Sequence, residues 1–429
     1  MTFRPVRKTG PRPAPPTNRY SNPRIRQIPW YKSSWTTCRR LLSPLPHRQH
    51  PARRNCDHDF IKCVQARRAP AANPPCHRCA RRVFVHAGTG QADALEASAG
   101  SDQKDDLLRI APVESGDRVI VADAKGDVYA YNLKSGKRLW GAELDMPISV
   151  GGGANDSMVV FGSDTGKVVA LSTDSGKTLW QATVSTAVEA APSVGDTHVV
   201  VRSKDGSVTL LDAKDGSTVW SVSHNEPMMT LQGQSRALLF PDAIAVGYDD
   251  GEFAILSRAD GRPLWKNQVA LPMGRTEIDR MVDIDATPLF ADAVFYVATY
   301  QGRIAAINAK GGQTIWSRKF SSFTDMSIDQ HALYATDASG IVWALDRRTG
   351  EPLWRQSALA YRGVTGPALS NGKLVVGDKE GYLHVLDPQT GAIVGRLRVS
   401  GGLIDPMRTE NNVVAAVTRG GDLIVFDLP

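Results

Sequence analysis

The sequence predicts an all-β fold, an eight-bladed β-propeller built from four-stranded antiparallel blades. Three observations predict it. A glycine–glycine–tryptophan unit recurs from about residue 110 onward, hairpin turns separate short apolar runs within each unit, and the last unit is cut short by the C-terminus. Repeats of about forty residues with four short strands each are typical of propellers. A parallel solenoid is disfavoured because every junction has the composition of a hairpin turn.

The internal spacing of the unit is constant. The second glycine follows the first by ten residues, and the tryptophan follows the second glycine by four. The complete sets are Gly126/Gly136/Trp140, Gly166/Gly176/Trp180, Gly206/Gly216/Trp220, Gly251/Gly261/Trp265, Gly302/Gly312/Trp316 and Gly340/Gly350/Trp354. A seventh copy, Gly381/Gly391, has Gly395 at the tryptophan position, and an eighth begins at Gly421.

Each position that recurs from repeat to repeat has a physical role. The glycines are expected in hairpin turns, where a positive φ is favourable for glycine. The apolar run after the first glycine, such as 167–171, predicts a strand covered on both faces. The tryptophans are expected on the outermost strands, where each would lock its blade to a neighbour. Burying an indole removes about 150–250 Å² from water, an upper figure of about 4–6 kcal/mol.

Closure of the ring requires a strand from elsewhere in the chain. The eighth unit ends after its third strand, and an open sheet edge is unfavourable. The missing strand is therefore expected upstream of residue 110, and the segment Arg82–Gly88 fits. We predict that it pairs with Asp422–Asp427, so that the propeller comprises residues 82–429.

Residues 1–81 are predicted to be a disordered, basic leader rich in Pro and Arg. Residues 1–83 contain 19 Lys and Arg against two Asp, whereas 84–429 contain 32 basic and 42 acidic residues, a balance of −10. The basic charge therefore does not predict a nucleic-acid surface on the propeller. A chain start downstream of this leader is the alternative interpretation. All five cysteines precede residue 80, and their spacing, with one Cys-x-x-Cys pair at Cys76 and Cys79, favours an incidental cluster over a zinc site.

No catalytic constellation is found in the sequence. Phosphate-cradling glycine loops and nucleophile–base arrangements are absent, and His331 and His384 lack a second nearby ligand and are interpreted as ordinary strand residues. We therefore expect no enzymatic activity, no cofactor and no metal.

Two stretches resemble a known family. Ala213-Lys214-Asp215-Gly216-Ser217-Thr218-Val219-Trp220 is similar to the blade motif of quinoprotein-type propellers, a class that includes the quinone-dependent dehydrogenases and the BamB family. The stretch 274–288, Gly-Arg-Thr-Glu-Ile-Asp-Arg-Met-Val-Asp-Ile-Asp-Ala-Thr-Pro, closely resembles the BamB stretch that links two middle blades. The segment 375–384 resembles another BamB segment, and the resemblance extends from about residue 82 to the end.

The resemblance implies a non-catalytic scaffold lipoprotein on the periplasmic face of the outer membrane. Such a scaffold binds a POTRA domain of the barrel-forming subunit BamA and aids the insertion of β-barrel proteins, with unfolded clients as further partners. The residues that match the family's binding positions are Met229, Leu231, Gln232, Asp283 and Asp285. Gln232 stands where the family has Arg, and no lipid-anchor cysteine in an apolar context is identifiable.

Alternatives remain open at the level of sequence. Residues 228–232 could fold back on the ring, and Asp283 and Asp285 could cap local backbone groups. Glu277, Asp279 and Arg280 could form a self-paired network. The whole chain could also be a quinone-dependent dehydrogenase propeller or a ligand-sensing interaction propeller.

Overall fold

The structure, a computed structural model, describes residues 81–87, 90–98, 110–231, 233–399, 407–408, 413–418 and 421–427. The chain divides into two compact units, residues 1–74 and 75–429. Every described residue belongs to the second unit. The predicted disordered leader, 1–81, lies outside the described residues except for Arg81.

The second unit is an all-β propeller. Seven blades are four-stranded antiparallel sheets, each formed by consecutive strands. In chain order, blade 1 contains β3 (Val113–Ser115), β4 (Arg118–Ala122), β5 (Asp127–Asn132) and β6 (Arg138–Glu143). Blade 2 contains β7 (Gly153–Ala154), β8 (Met158–Gly162), β9 (Lys167–Ser172) and β10 (Thr178–Thr183). Blade 3 contains β11 (Ser193–Val194), β12 (His198–Arg202), β13 (Val208–Asp212) and β14 (Thr218–Val222).

The remaining blades repeat this plan. Blade 4 contains β15 (Leu238–Leu239), β16 (Ala243–Gly247), β17 (Glu252–Ser257) and β18 (Pro263–Gln268). Blade 5 contains β19 (Leu289–Ala291), β20 (Val294–Ala298), β21 (Arg303–Asn308) and β22 (Thr314–Lys319). Blade 6 contains β23 (Ser327–Ile328), β24 (Ala332–Thr336), β25 (Val342–Asp346) and β26 (Pro352–Gln356). Blade 7 contains β27 (Ala368–Ser370), β28 (Lys373–Gly377), β29 (Tyr382–Leu386) and β30 (Ile393–Arg398).

One further sheet, the terminal sheet, combines both ends of the described chain. Its strands are β1 (Arg81–Ala87), β2 (Gly90–Ser98), β31 (Met407–Arg408), β32 (Val413–Val417) and β33 (Asp422–Asp427), in the order β1-β2-β33-β32-β31. The prediction of eight four-stranded blades is therefore wrong, because seven blades have four strands and this sheet has five.

The predicted pairing of Arg82–Gly88 with Asp422–Asp427 is also wrong. β33 pairs with β2, with Ala94 opposite Phe426 and Ser98 opposite Asp422, and β1 forms a hairpin on the far side of β2. The physical reason is that β1 and β2 are adjacent in sequence, and closing a short hairpin costs less chain entropy than a distant pairing. The strand that meets β33 does come from upstream of residue 110, as expected.

Apolar layers fill the spaces between neighbouring blades. The strands β8 and β24 are buried along their whole length, and most of each second and third strand is covered. Separate clusters join each blade to the next. The terminal sheet packs on blade 7 through Ile424 and on blade 1 through Val425. Strands covered on both faces explain the apolar runs that follow each first glycine.

A β-bulge aims each tryptophan at the next blade. In all seven blades the ladder between the third and fourth strands skips one residue. The skipped residue directly precedes the tryptophan position and is exposed: Leu139, Leu179, Val219, Leu264, Ile315, Leu353 and Val394. A bulge increases local twist and re-aims the next side chain. The indole consequently faces the neighbouring blade and not the solvent.

Candidate partner-binding surface

Each of the six repeat tryptophans lies against the second glycine of the following blade. Gly176 has a φ of 70°, and a Cβ built there would lie 2.5 Å from Cε3 of Trp140. The indole nitrogens of Trp140, Trp180, Trp220, Trp265, Trp316 and Trp354 donate hydrogen bonds to carbonyl oxygens of Thr173, Ala213, Arg258, Ala309, Arg347 and Pro388. The boundary between blade 7 and the terminal sheet has Gly395 at the equivalent position, opposite Val385.

Two long connections emerge on one face of the ring. The first, loop 223–237, joins β14 to β15, and the second, loop 269–288, joins β18 to β19. Both lead from a fourth strand to the first strand of the next blade, so in an antiparallel blade they leave at the same end. They share that end with the turn between β16 and β17, which contains Asp249 and Asp250.

The two loops expose apolar side chains. In loop 223–237, Met228 is fully exposed, Met229 is 45% exposed and Leu231 is half-buried. In loop 269–288, Leu271 and Met273 are exposed. Gln232 lies outside the described residues. Exposed methionine and leucine side chains on loops are adaptable apolar contacts of the kind found at protein-binding surfaces.

Asp283 connects the two loops. Its carboxylate accepts a hydrogen bond from the backbone N–H of Leu231, and its own carbonyl oxygen accepts one from the N–H of Tyr300 at 2.8 Å. The side chain is fully buried, and burial raises its pKa to about 6, although the backbone hydrogen bond from Leu231 opposes that shift. Asp285 is buried as well, with 8% exposed. The two acids are therefore covered, and Asp283 supports the loop that carries Met229 and Leu231.

A short network orders the outer part of loop 269–288. Nη1 of Arg280 lies 3.4 Å from Oε1 of Glu277, and the Asp279 carboxylate accepts the N–H of Thr276. Ile278–Arg280 form a single 3-10 turn, with Ile278 exposed. Arg280 thus pairs locally with Glu277, whereas Asp279 pairs with Thr276 and not with another charged residue.

A buried charge cluster lies behind loop 223–237. Arg202, at the end of β12, donates from Nη1 to the carbonyl oxygen of Ser235 at 3.0 Å and to its Oγ at 3.1 Å. Its Nη2 lies 3.9 Å from Oε1 of Glu226, and Oε2 of Glu226 accepts the N–H of Asp249 at 3.2 Å. Burial raises the pKa of Asp249 to about 8, with Arg202 acting in the opposite direction. The pKa of Glu226 is likewise raised by burial.

Sequence reasoning missed this cluster. Arg202 and Glu226 belong to no motif, so neither was singled out. A detectable signal exists in a blade-by-blade comparison, because Arg202 is the only large residue at the last position of a second strand in blades 1–7.

Two histidines take part in polar contacts of different kinds. His224 stacks on Tyr248 with ring centroids 3.8 Å apart, and its Nε2 lies 2.9 Å from Oδ2 of Asp250. Burial opposes protonation of His224, but the neighbouring carboxylates, Asp250 first, outweigh it and raise the pKa. His384 is fully buried beside Asp378, and burial lowers its pKa. Its second ring nitrogen accepts from Arg396, which makes it a structural group of blade 7.

The described residues contain no group of three or more His, Cys, Asp or Glu side chains placed to hold a metal ion. Within the same part of the chain, no helix has the length and apolar character needed to cross a membrane.

Comparisons with known proteins agree with one another. The family model described as "Outer membrane protein assembly factor BamB" matches residues 80–151, 124–356 and 338–428. A protein of that name from Legionella pneumophila (strain Paris) is 45% identical over 316 residues, covering 73% of this chain and 82% of the relative. The crystal structure of BamB from Moraxella catarrhalis matches with a TM-score of 0.71 and 30% identity, covering 78% of this chain and all of that one.

A more distant likeness concerns the fold alone. Quinohemoprotein alcohol dehydrogenase from Comamonas testosteroni matches with a TM-score of 0.63 and 12% identity, covering 78% of this chain and 76% of the dehydrogenase chain. Identity at this level carries no statement about chemistry.

Proposed function

This chain belongs to the family of the outer membrane protein assembly factor BamB, and from that premise we propose that it is a non-catalytic scaffold at the periplasmic face of the outer membrane. In this role it binds a POTRA domain of the barrel-forming subunit BamA and aids the folding and insertion of β-barrel proteins. Unfolded barrel precursors are its transient clients, and a lipid anchor attaches it to the membrane. The scaffold requires neither cofactor nor metal.

The observation that carries the partner site is the pair of apolar loops on one face of the propeller. We define the loop surface as Met228, Met229, Leu231, Leu271 and Met273, all of which lie on loops 223–237 and 269–288. Large apolar side chains on a rigid ring supply contact area to a folded partner without reorganisation of the scaffold. The POTRA domain packs against this surface, and we assign Gln232 to the same partner contact from the family resemblance alone.

Asp283 and Asp285 contribute to the same site from behind. The buried Asp283 carboxylate accepts a hydrogen bond from the N–H of Leu231. This bond fixes the backbone of the loop and so positions its apolar side chains. Asp285, also buried, belongs to the same covered layer. We assign both acids to the partner site as groups that shape the loop surface.

The scaffold acts as a closed ring. The terminal sheet packs against blade 7 on one side and against blade 1 on the other. Strand β2 covers the edge of β33, and β1 extends the sheet outward. Closure keeps the loop surface rigid because each blade is held between two neighbours.

Co-purification with BamA tests the proposal. Wild type is compared with the double variant Leu231→Ala/Asp283→Ala, which removes an apolar contact and its support. We expect the double variant to lose most of the BamA that the wild type retains. Leu353→Ala removes an exposed apolar side chain from β26 and serves as the matched control, with retention expected at the wild-type level.

Two results would contradict the proposal at different levels. Equal retention of BamA by the double variant and the wild type would place the contact elsewhere on the molecule. Failure of the wild type itself to retain BamA would remove the scaffold role.

A further inference from the structure

The end of each second strand is a position for small side chains. In blades 1–7 it is occupied by Ala122, Gly162, Arg202, Gly247, Ala298, Thr336 and Gly377. The position faces the loop that leads to the next blade, because a Cβ added at Gly162 would collide with Val188 and one added at Gly247 would collide with Ile284. Blade 3 alone places a guanidinium there, and Arg202 is 2% exposed.

Arg202 contacts both ends of the exposed part of loop 223–237. Ser235, which accepts two hydrogen bonds from Nη1, follows the exposed methionines, and Glu226, the ion-pair partner of Nη2, precedes them. Asp283 holds Leu231 between these two points. One side chain therefore ties the two ends of the segment that carries Met228 and Met229.

The environment of Arg202 is polar and incompletely satisfied. Its guanidinium lies 5.5 Å from the centroid of the Tyr248 ring, and Gln234 donates to Asp249 at 3.4 Å. Among protein atoms of the described residues, Nε and Nη2 of Arg202, Oε1 of Glu226 and Oδ1 of Asp249 have no hydrogen-bond partner. In blades 2 and 4 the small residue packs against an apolar side chain of the loop, Val188 or Ile284, whereas in blade 3 the charged contacts of Arg202 connect the strand to the loop.

We infer that Arg202 is a positioning residue for partner binding: it sets the conformation of loop 223–237 through Ser235 and Glu226, so that the loop surface is presented preformed. This inference rests on the proposed function for its partner, but not for the loop itself. A preformed loop loses little conformational entropy on binding. Loss of the Arg202 contacts therefore lowers the affinity for the partner although every contact residue is still present.

Two variants separate positioning from simple stability. Arg202→Met leaves the Glu226 carboxylate buried without its cation, which destabilises the fold and the loop together. The double variant Arg202→Met/Glu226→Gln removes both charges of the pair, so that most of the stability returns while the hold on Ser235 remains lost. Asp249 keeps its proton at pH 7 because its pKa is about 8, so it adds no uncompensated charge.

Affinity for the purified POTRA-containing periplasmic part of BamA is the first measurement. We expect the double variant to bind about tenfold or more weakly than wild type, since charged hydrogen bonds that order the loop are absent. The matched control is Arg347→Met in blade 6, which removes another buried arginine, one held by Asp292, Tyr296 and Asp329. It should lose stability and keep wild-type affinity. Wild-type affinity in the double variant would overturn the inference.

Hydrogen exchange gives a readout that needs no partner. The amide of Leu231, bonded to Asp283, and that of Gln234, bonded to the carbonyl of Glu189, report on the loop. We expect both amides to exchange faster in the double variant and unchanged in Arg347→Met. Unchanged exchange rates in the double variant would show that Arg202 does not order loop 223–237, whether or not BamA binds. Faster exchange together with no BamA binding by wild type would refute only the proposed partner.

Discussion

At the scale of single residues, two kinds of position dominate this propeller. Glycines that follow the third strand of blades 2–7 adopt a positive φ and leave room for an indole from the preceding blade, as at Gly216 beneath Trp180. Buried acids such as Asp283 lie beneath a loop and hold a backbone N–H. The first kind is repeated around the ring, and the second also occurs in blade 1 at Asp123 and in blade 7 at Asp378.

Gly216→Ala is expected to destabilise the fold more than an ordinary left-handed glycine would. Its φ is 75°, and the added Cβ would lie 2.5 Å from Cε3 of Trp180. Gly372→Ala is the matched control, because Gly372 has a φ of 67° but open space around the added Cβ. Backbone strain alone costs about 1–2 kcal/mol, and overpacking adds about 1–3 kcal/mol at Gly216. Denaturant unfolding measures the loss of unfolding free energy in both variants. Equal losses would contradict the close packing of the Trp180 indole on Gly216.

Asp283→Asn is expected to alter how stability depends on pH. The folded-state pKa of Asp283, about 6, is above the ordinary value of 3.8 because of burial. A carboxyl with a raised pKa favours the folded state most when protonated, below pH 3.8, and that contribution is lost as the pH rises through 6. Ionised Asp283 therefore costs about 3 kcal/mol at pH 7 as an upper figure.

Urea unfolding from pH 4 to 7.5 tests this dependence. The free energy of unfolding of Asp283→Asn should increase relative to wild type as the pH rises, since the asparagine cannot ionise. Asp279→Asn in the same loop is the control, because Asp279 is exposed and hydrogen bonds to Thr276 lower its pKa. A difference in unfolding free energy between Asp283→Asn and wild type that stays constant over the whole pH range would show that burial does not raise the pKa of Asp283.

At the scale of strands, the repeat determines most of the architecture. The spacing from glycine to glycine to tryptophan predicts the third strand, its hairpin and the fourth strand in each blade, and the structure has those strands. The one wrong strand assignment concerns β1 and β2. Composition changes near residue 82, but Gly90–Ser98 has no repeat copy to align with. Only the three-dimensional pairing reveals that this segment and not Arg82–Gly88 covers β33.

Removing the N-terminal hairpin is expected to uncover the edge of β33. A chain that starts at residue 99 lacks both β1 and β2, whereas one that starts at residue 81 keeps them and serves as its control. An unpaired edge strand both destabilises a sheet and pairs with other chains. We expect the shorter chain to unfold at lower denaturant concentration and to form concentration-dependent oligomers in size-exclusion chromatography with light scattering. Identical melting and identical mass for the two chains would contradict the pairing of β2 with β33.

At the scale of the whole molecule, family membership and the all-β propeller fold could be predicted from the sequence, whereas the number of four-stranded blades and the details of the candidate site could not. The stretch 274–288 marked the region of Asp283 and Asp285. It did not reveal that Asp283 is buried, because the sequence alone does not distinguish an aspartate that accepts a backbone N–H from one that contacts a partner. Arg202 and Glu226 lie 24 residues apart and meet only when blade 3 is folded. Long-range polar contacts of this kind leave no local pattern.

Gly395 leaves the boundary between blade 7 and the terminal sheet without an indole, and the described residues at the boundary between the terminal sheet and blade 1 contain none either. Six other boundaries are held by an indole seated on a glycine, whereas blade 7 meets the terminal sheet through aliphatic side chains such as Leu383, Leu397 and Val414. Aliphatic contacts lack the hydrogen bond to a carbonyl that each indole supplies. Under heat or mechanical tension, we expect the two boundaries of the terminal sheet to part before the six that an indole holds. The C-terminal strands would then peel away while blades 1–7 remain assembled, which gives the molecule a single preferred route of unravelling.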